Sequence, residues 1–84
     1  MNESFEYWIT RRGIRRGQVP NRTKYLWASY VRFMKREGES ETLTFPAFSK
    51  TLKSWGVEKR RYRGMECFML NKAIVPKSSL STKI

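Results

Sequence analysis

The sequence predicts a small α+β fold: three helices followed by a two-stranded β-hairpin. Three features carry that expectation. Apolar residues recur at helical spacing in three separate stretches before residue 56, the only close alternative period sits between residues 57 and 70, and glycines stand where helices need to close. With 84 residues the chain has room for one domain. Its 5 Phe, 4 Tyr and 3 Trp are enough to fill a compact core without cross-links. The domain is expected over residues 1–72, with a flexible basic tail over 73–84.

The first helix is expected from Glu3 to Arg12. Asn2 can cap it, Glu3 complements its positive end, and Phe5, Trp8 and Ile9 form its apolar stripe with the stem of Arg12. Tyr7 points off that stripe, toward the rim. The run Arg11-Arg12-Gly13-Ile14-Arg15-Arg16-Gly17 repeats one tripeptide and is the densest cationic stretch. Its glycines break the helix, so the arginines are expected on a loop or on a short edge strand including Ile14 and Val19. Guanidinium forks there match phosphate oxygens; a solvated linker is the alternative.

Pro20 is expected to close that segment. The longest helix then starts at Asn21 or Thr23, runs to about Glu37 and ends at Gly38. Leu26, Trp27, Tyr30, Val31, Phe33 and Met34 make its apolar face, and Lys24, Arg32, Lys35 and Arg36 lie opposite. Glu37, Glu39 and Glu41 form the only local negative patch and are expected to face away from any polyanion.

Thr44 caps the third helix and Pro46 occupies its first turn. Phe45, Phe48, Leu52 and Trp55 share one flank; Lys50, Lys53 and Ser54 take the other. Gly56 suits a left-handed closing position. Val57–Arg61 and Met65–Leu70 then pair as a hairpin with Tyr62, Arg63 and Gly64 at its turn. A helix with one lysine flank, a glycine and a basic hairpin together outline a winged helix-turn-helix.

Charge narrows the function. Lys and Arg total 18 against 7 Asp and Glu, a net +11, and such an excess repels itself unless a polyanion is the partner. Double-stranded DNA is the expected ligand. The candidate DNA-binding residues are Ser49, Lys50, Lys53 and Ser54 on the third helix, Lys59, Arg60, Arg61, Tyr62 and Arg63 on the hairpin, and Arg11, Arg12, Arg15 and Arg16 as a second anchor. Two other classes compete. Tyr7 and Tyr62 beside arginines could stack bases of RNA or single-stranded nucleic acid, and an accessory subunit could use the same surface to dock on replication proteins. A homodimer is compatible with two half-sites.

Catalysis is not expected. The chain has no histidine, its single thiol Cys67 lies in an apolar strand, and its carboxylates are neither paired nor buried by composition, so no general base, metal site or cofactor site is predicted. A lone cysteine, no membrane-length apolar run and an acidic opening unlike a signal peptide point to a soluble, cytoplasmic protein.

From about Val19 to Leu70 the chain resembles a known family: the C-terminal winged-helix domain of phage- and plasmid-type primase-helicases, related to poxvirus-type primases. The resemblance is carried by Tyr25-Leu26-Trp27-Ala28-Ser29-Tyr30, by Phe48-Ser49-Lys50-Thr51-Leu52, and by Trp55-Gly56-Val57 followed by Arg63-Gly64 and the closing strand. Phe5-Glu6-Tyr7-Trp8-Ile9 is a looser echo. It implies DNA binding in the replication or regulation of a phage or other mobile element. This chain contains no P-loop glycine-lysine motif, so helicase and primase activities are not carried over.

Overall fold

A computed structural model describes residues 2–39 and 41–74. Their order is α1 (Glu3–Arg12), β1 (Arg16–Arg22), α2 (Thr23–Arg36), α3 (Phe45–Ser54), β2 (Lys59–Tyr62) and β3 (Met65–Leu70). The sheet is antiparallel, in the order β1-β3-β2, so the expected two-stranded sheet is corrected to three strands. β1 adds itself along β3, pairing Val19 with Leu70, Pro20 with Met69, Asn21 with Phe68 and Arg22 with Cys67.

That added strand corrects two further expectations. Ile14 lies outside it, buried in the core, and Pro20 lies within it instead of ending the segment. β1 is an edge strand, where a residue lacking an N–H is tolerated. Both Arg16 and Val19 pair with Leu70, so the strand bulges between them. Gly17 sits in the bulge, where a Cβ would stand 2.6 Å from the Leu70 carbonyl oxygen. Only glycine permits so close an approach.

The helices begin and end as their caps dictate. Asn2 accepts bonds from the Ser4 and Phe5 amides, and Thr44 accepts one from Ala47. α2 starts at Thr23 behind Arg22, without a side-chain cap; Asn21, the other expected start, is a buried strand residue. α3 closes on Gly56, at φ 89°, with Gly56 N–H donating to Lys53 and Val57 N–H to Leu52. Val57 and Leu52 are both buried, the apolar contact that accompanies this closing geometry.

An aromatic cluster lies within the core. Phe48 packs against Phe5, Trp8 and Tyr30 with ring centroids 5.1–5.6 Å apart, and Trp55 meets Phe5 edge-on. Such pairs add about 0.5–1.5 kcal/mol each beyond the area they bury. The Tyr30 hydroxyl ties α2 to α1 and to the connector before α3 by bonding Ser4 Oγ and accepting the Leu43 N–H. Phe45 departs from its expected place in the oily flank: it is 40% exposed at the rim, edge-on to Trp27.

The packed body reaches past residue 72. Ile74, assigned to the tail by composition, is buried and donates its N–H to Asn21 Oδ1, while Asn21 Nδ2 donates to the carbonyls of Val19 and Lys72. The rest of the expected tail, 75–84, lies outside the described residues. No helix among the described residues is long and apolar enough to cross a membrane.

Candidate nucleic-acid interface

The basic side chains are best followed from the strands. Side chains alternate across a sheet, and in β3 the alternation divides Glu66, Phe68 and Leu70 from Met65, Cys67 and Met69. Phe68 and Leu70 belong to the core cluster, so the first set faces the helices. Across β2 the same rule puts Lys59, opposite Phe68, and Arg61, opposite Glu66, on the helix side. Arg60, opposite Cys67, and Tyr62, opposite Met65, lie on the outer side.

Contacts agree with this division. Lys59 Nζ sits 3.0 Å from Glu66 Oε1 and 6.0 Å from the centre of the Phe68 ring. Its hydrogen bond and charge hold the Glu66 carboxyl below its ordinary pKa, with Arg61 and Lys53 adding smaller contributions in the same direction. Lys59 is thus the direct partner of this carboxylate, and Arg61 and Lys53 act on it only as weaker charges. Lys50, Lys53 and Ser54 are exposed on α3, while Ser49 is half-buried at its edge.

Arg60 does not join them. It is paired with Glu58 at 2.7 Å and reaches Gln18 on the outer side of the sheet. The expected row of hairpin cations is thus split in two by the pleat. Tyr62 and Arg63 occupy the turn, with the Arg63 guanidinium 5.5 Å from the Tyr62 ring centre. Arg63 and Gly64 both have positive φ, 53° and 78°, as a two-residue hairpin turn matching the strand twist requires.

The arginine run is held differently. α1 ends at Gly13, and Asn71 then fixes the backbone: it accepts from Arg15 N–H through Oδ1, donates from Nδ2 to the Gly13 carbonyl, and donates its own N–H to Arg15. Lys72 Nζ donates to the Arg12 carbonyl. With Ile14 buried beneath, Arg11, Arg15 and Arg16 project outward and Arg12 is half-buried. Arg16 reaches the end of α3, its Nη1 3.1 Å from where a Cβ on Gly56 would lie. It is the member of the run that shares a neighbourhood with the lysine helix.

Sequence reasoning missed Asn71 and Lys72 as clamps, and Arg22, Tyr25 and Met65 as surface groups. Arg22 and Tyr25 stand three residues apart across the start of α2, the spacing at which side chains meet, and Arg22 donates to the Tyr25 hydroxyl at 3.0 Å. The acids collect elsewhere: Glu3, Glu39 and Glu41 line a separate cavity with Tyr7, whose hydroxyl donates to Glu37 at 2.8 Å. That bond, more than burial, raises the tyrosine pKa above its usual value.

These elements define a small three-helix protein with a three-stranded antiparallel sheet. Neither a protein-family model, nor a curated protein, nor a solved structure matches the chain. The functional reading accordingly rests on the residues themselves.

Proposed function

We propose that the chain is a winged-helix protein that binds double-stranded DNA without catalysing a reaction, with α3 in the major groove and the β2-β3 hairpin as a wing on the neighbouring backbone. One observation supports the reading: Lys59 pairs with Glu66 at 3.0 Å on the helix-facing side of the hairpin, and the weaker pull of Arg61 and Lys53 on the same carboxyl fits a lysine flank of α3 that lies toward the ribbon. An exposed helix that enters a groove beside a second cationic projection can engage base edges and phosphates together. The net charge of +11 supplies the attraction.

Lys50 and Lys53 are assigned to base edges or flanking phosphates, Ser49 and Ser54 to short polar contacts, and Arg61 and Arg63 to phosphates, with a smaller share for Lys59 because Glu66 already pairs with it. Arg11, Arg12, Arg15 and Arg16 form the second anchor, with Arg16 nearest α3. Arg60, held by Glu58 on the outer side, is given the smallest share of the hairpin's original assignment. The resemblance to primase-helicase winged-helix domains favours replication or regulation of a phage or other mobile element, in the cytoplasm of a bacterial host, alone, as a homodimer or beside replication proteins.

Phosphate contacts fix position and base contacts fix sequence. With about five to eight phosphates engaged, log K is expected to fall with log salt at a slope of about five to seven in magnitude. In gel shifts with a selected site and random duplex, Lys50→Ala with Lys53→Ala is expected to weaken specific binding more than random binding, and Lys59→Ala with Arg61→Ala to weaken both alike. Equal losses throughout would remove the assignment of α3. Binding of single-stranded DNA or RNA in preference to duplex would transfer the function to an unpaired strand, and no binding to any of them would favour a protein partner.

A further inference from the structure

On the outer side of the sheet, away from Lys53, a groove of about 400 Å³ runs between the first turn of α2 and the hairpin turn. Pro20, Arg22, Tyr25, Tyr62, Arg63 and Met65 line most of it, and among the described residues no carboxylate does. Its volume falls within the range of about 300–1,000 Å³ usual for small-ligand sites. Tyr25, Tyr62 and Met65 are 38%, 48% and 43% exposed, an unusual concentration of open apolar area in a molecule this small.

Each tyrosine carries a guanidinium. Arg22 stands 5.3 Å from the Tyr25 ring centre and Arg63 stands 5.5 Å from that of Tyr62. Arg63 does so from a left-handed backbone, φ 53°, a position more often given to Gly, Asn or Asp. An apolar slot whose described residues offer two aromatic planes, two cations and no acid matches a flat aromatic body with an anion on either side. Nucleotides have that form: bases stack on tyrosine or on a guanidinium plane, and their phosphates take the arginines.

We infer that this groove holds one unpaired base of a nucleic-acid strand, stacked between Tyr25 and Tyr62, with Arg22 and Arg63 on the flanking phosphates. Arg22 and Met65 also line a smaller cavity of about 260 Å³ that includes Phe45 and Glu66 on the helix side, so a strand lying along α3 has a route around the hairpin's end to the groove. The inference deepens the duplex reading and rests on it only where the base belongs to a duplex.

The test compares three fluorescent probes at fixed salt: a fully paired short duplex, the same duplex carrying one unpaired 2-aminopurine, and a single strand containing 2-aminopurine in deoxy and ribo forms. The full chain is expected to bind the unpaired duplex about tenfold more tightly than the paired one and to quench its 2-aminopurine. Tyr25→Ala is expected to leave paired-duplex binding within about twofold while removing the preference and the quenching. Tyr62→Phe, which keeps the ring, retains both, and Tyr62→Ala loses both. Quenching of the deoxy or the ribo strand identifies the backbone taken, and either supports the inference.

If the paired duplex fails to bind while the unpaired probes are quenched, the duplex reading falls and the groove assignment stands. Equal affinity for paired and unpaired duplex, with no quenching of the single strands, overturns the groove assignment alone. So does a preference that survives Tyr25→Ala and Tyr62→Ala. Concentration-dependent dimerisation abolished by Tyr25→Ala, without any probe preference, would assign the groove to a second copy of the chain instead.

Discussion

The two basic clusters look equivalent as strings of residues, yet the fold treats them in opposite ways. Around the hairpin, two cations already have carboxylate partners: Lys59 with Glu66 and Arg60 with Glu58. Among the described residues these are the salt bridges present, and none involves the run Arg11–Arg16. The run instead has its backbone pinned by Asn71 and Lys72 over the buried Ile14, leaving its guanidiniums unneutralised. One cluster spends charge internally on a protruding ribbon; the other keeps its charge and fixes its chain. Cation density along a sequence therefore does not rank the surfaces that meet a polyanion, because partners and anchoring are set by residues far away in the chain.

The largest expected effect tests the anchoring. Gly17→Ala must push its Cβ against backbone, 2.6 Å from the Leu70 oxygen and 2.7 Å from Asn71 Cα. A cost of about 3 kcal/mol is expected for such overpacking, lowering the melting temperature by more than about 10 °C in a domain of this size. Gly64→Asn at the hairpin turn meets nothing within 4 Å, and Asn tolerates a left-handed backbone, so its cost is expected to stay under about 1 kcal/mol. Thermal unfolding of the two variants breaks the contrast if their melting temperatures coincide.

Salt dependence comes next. Each cation that touches a phosphate contributes about 0.9 to the slope of log K against log salt. Arg15→Ala with Arg16→Ala is expected to flatten the slope for duplex DNA by about two, because neither arginine has an acid partner. Lys59→Ala with Arg61→Ala is expected to flatten it by only about one, since Glu66 already holds Lys59. A loop variant that leaves the slope unchanged would take the arginine run out of the interface.

Much of this arrangement could be read from the chain, and what could not has physical reasons. α1 and α3 announce themselves through Asn2 and Thr44 caps and through apolar residues three and four apart, and β3 through its apolar run. β1 does not. Arg16-Gly17-Gln18-Val19-Pro20-Asn21-Arg22 has one β-branched residue, no alternation and a proline, so only the partner edge of β3 makes it a strand. The pleat that separates Arg60 from Lys59 and Arg61 depends on register with β3, which Phe68 and Leu70 set by entering the core. For the candidate site, residue types were legible and their grouping was not: Asn71 and Tyr25 gain their roles from neighbours 56 and 3 positions away, respectively.

A smaller effect sharpens the account of the hairpin. Glu66→Gln removes the acid that occupies Lys59, so duplex affinity is expected to rise about threefold and the slope to steepen by about one. The melting temperature is expected to move by less than about 2 °C, because exposed ion pairs contribute little to stability. A rise in affinity with no change in slope would mean that Lys59, once freed, meets no phosphate.

The smallest effect is also the most direct probe of whether helix and hairpin share a face. Glu66 titrates below its usual value of 4.5 because Lys59 bonds it, with lesser help from Arg61 and Lys53. A carboxyl lowered in the folded state gives its contribution to stability fully above the unfolded pKa, and loses it as pH falls through the folded pKa. Followed by carboxyl NMR, Lys59→Met is expected to return Glu66 most of the way to its ordinary value, and Lys53→Met to raise it by a smaller, still measurable amount. The order matters more than the size. Lys59 belongs to the adjacent strand and affects Glu66 in any hairpin, whereas Lys53 acts on it only if the exposed edge of α3 turns toward the ribbon. If Lys53→Met leaves Glu66 unmoved, the two cationic projections no longer stand side by side, and a duplex cannot engage both at once.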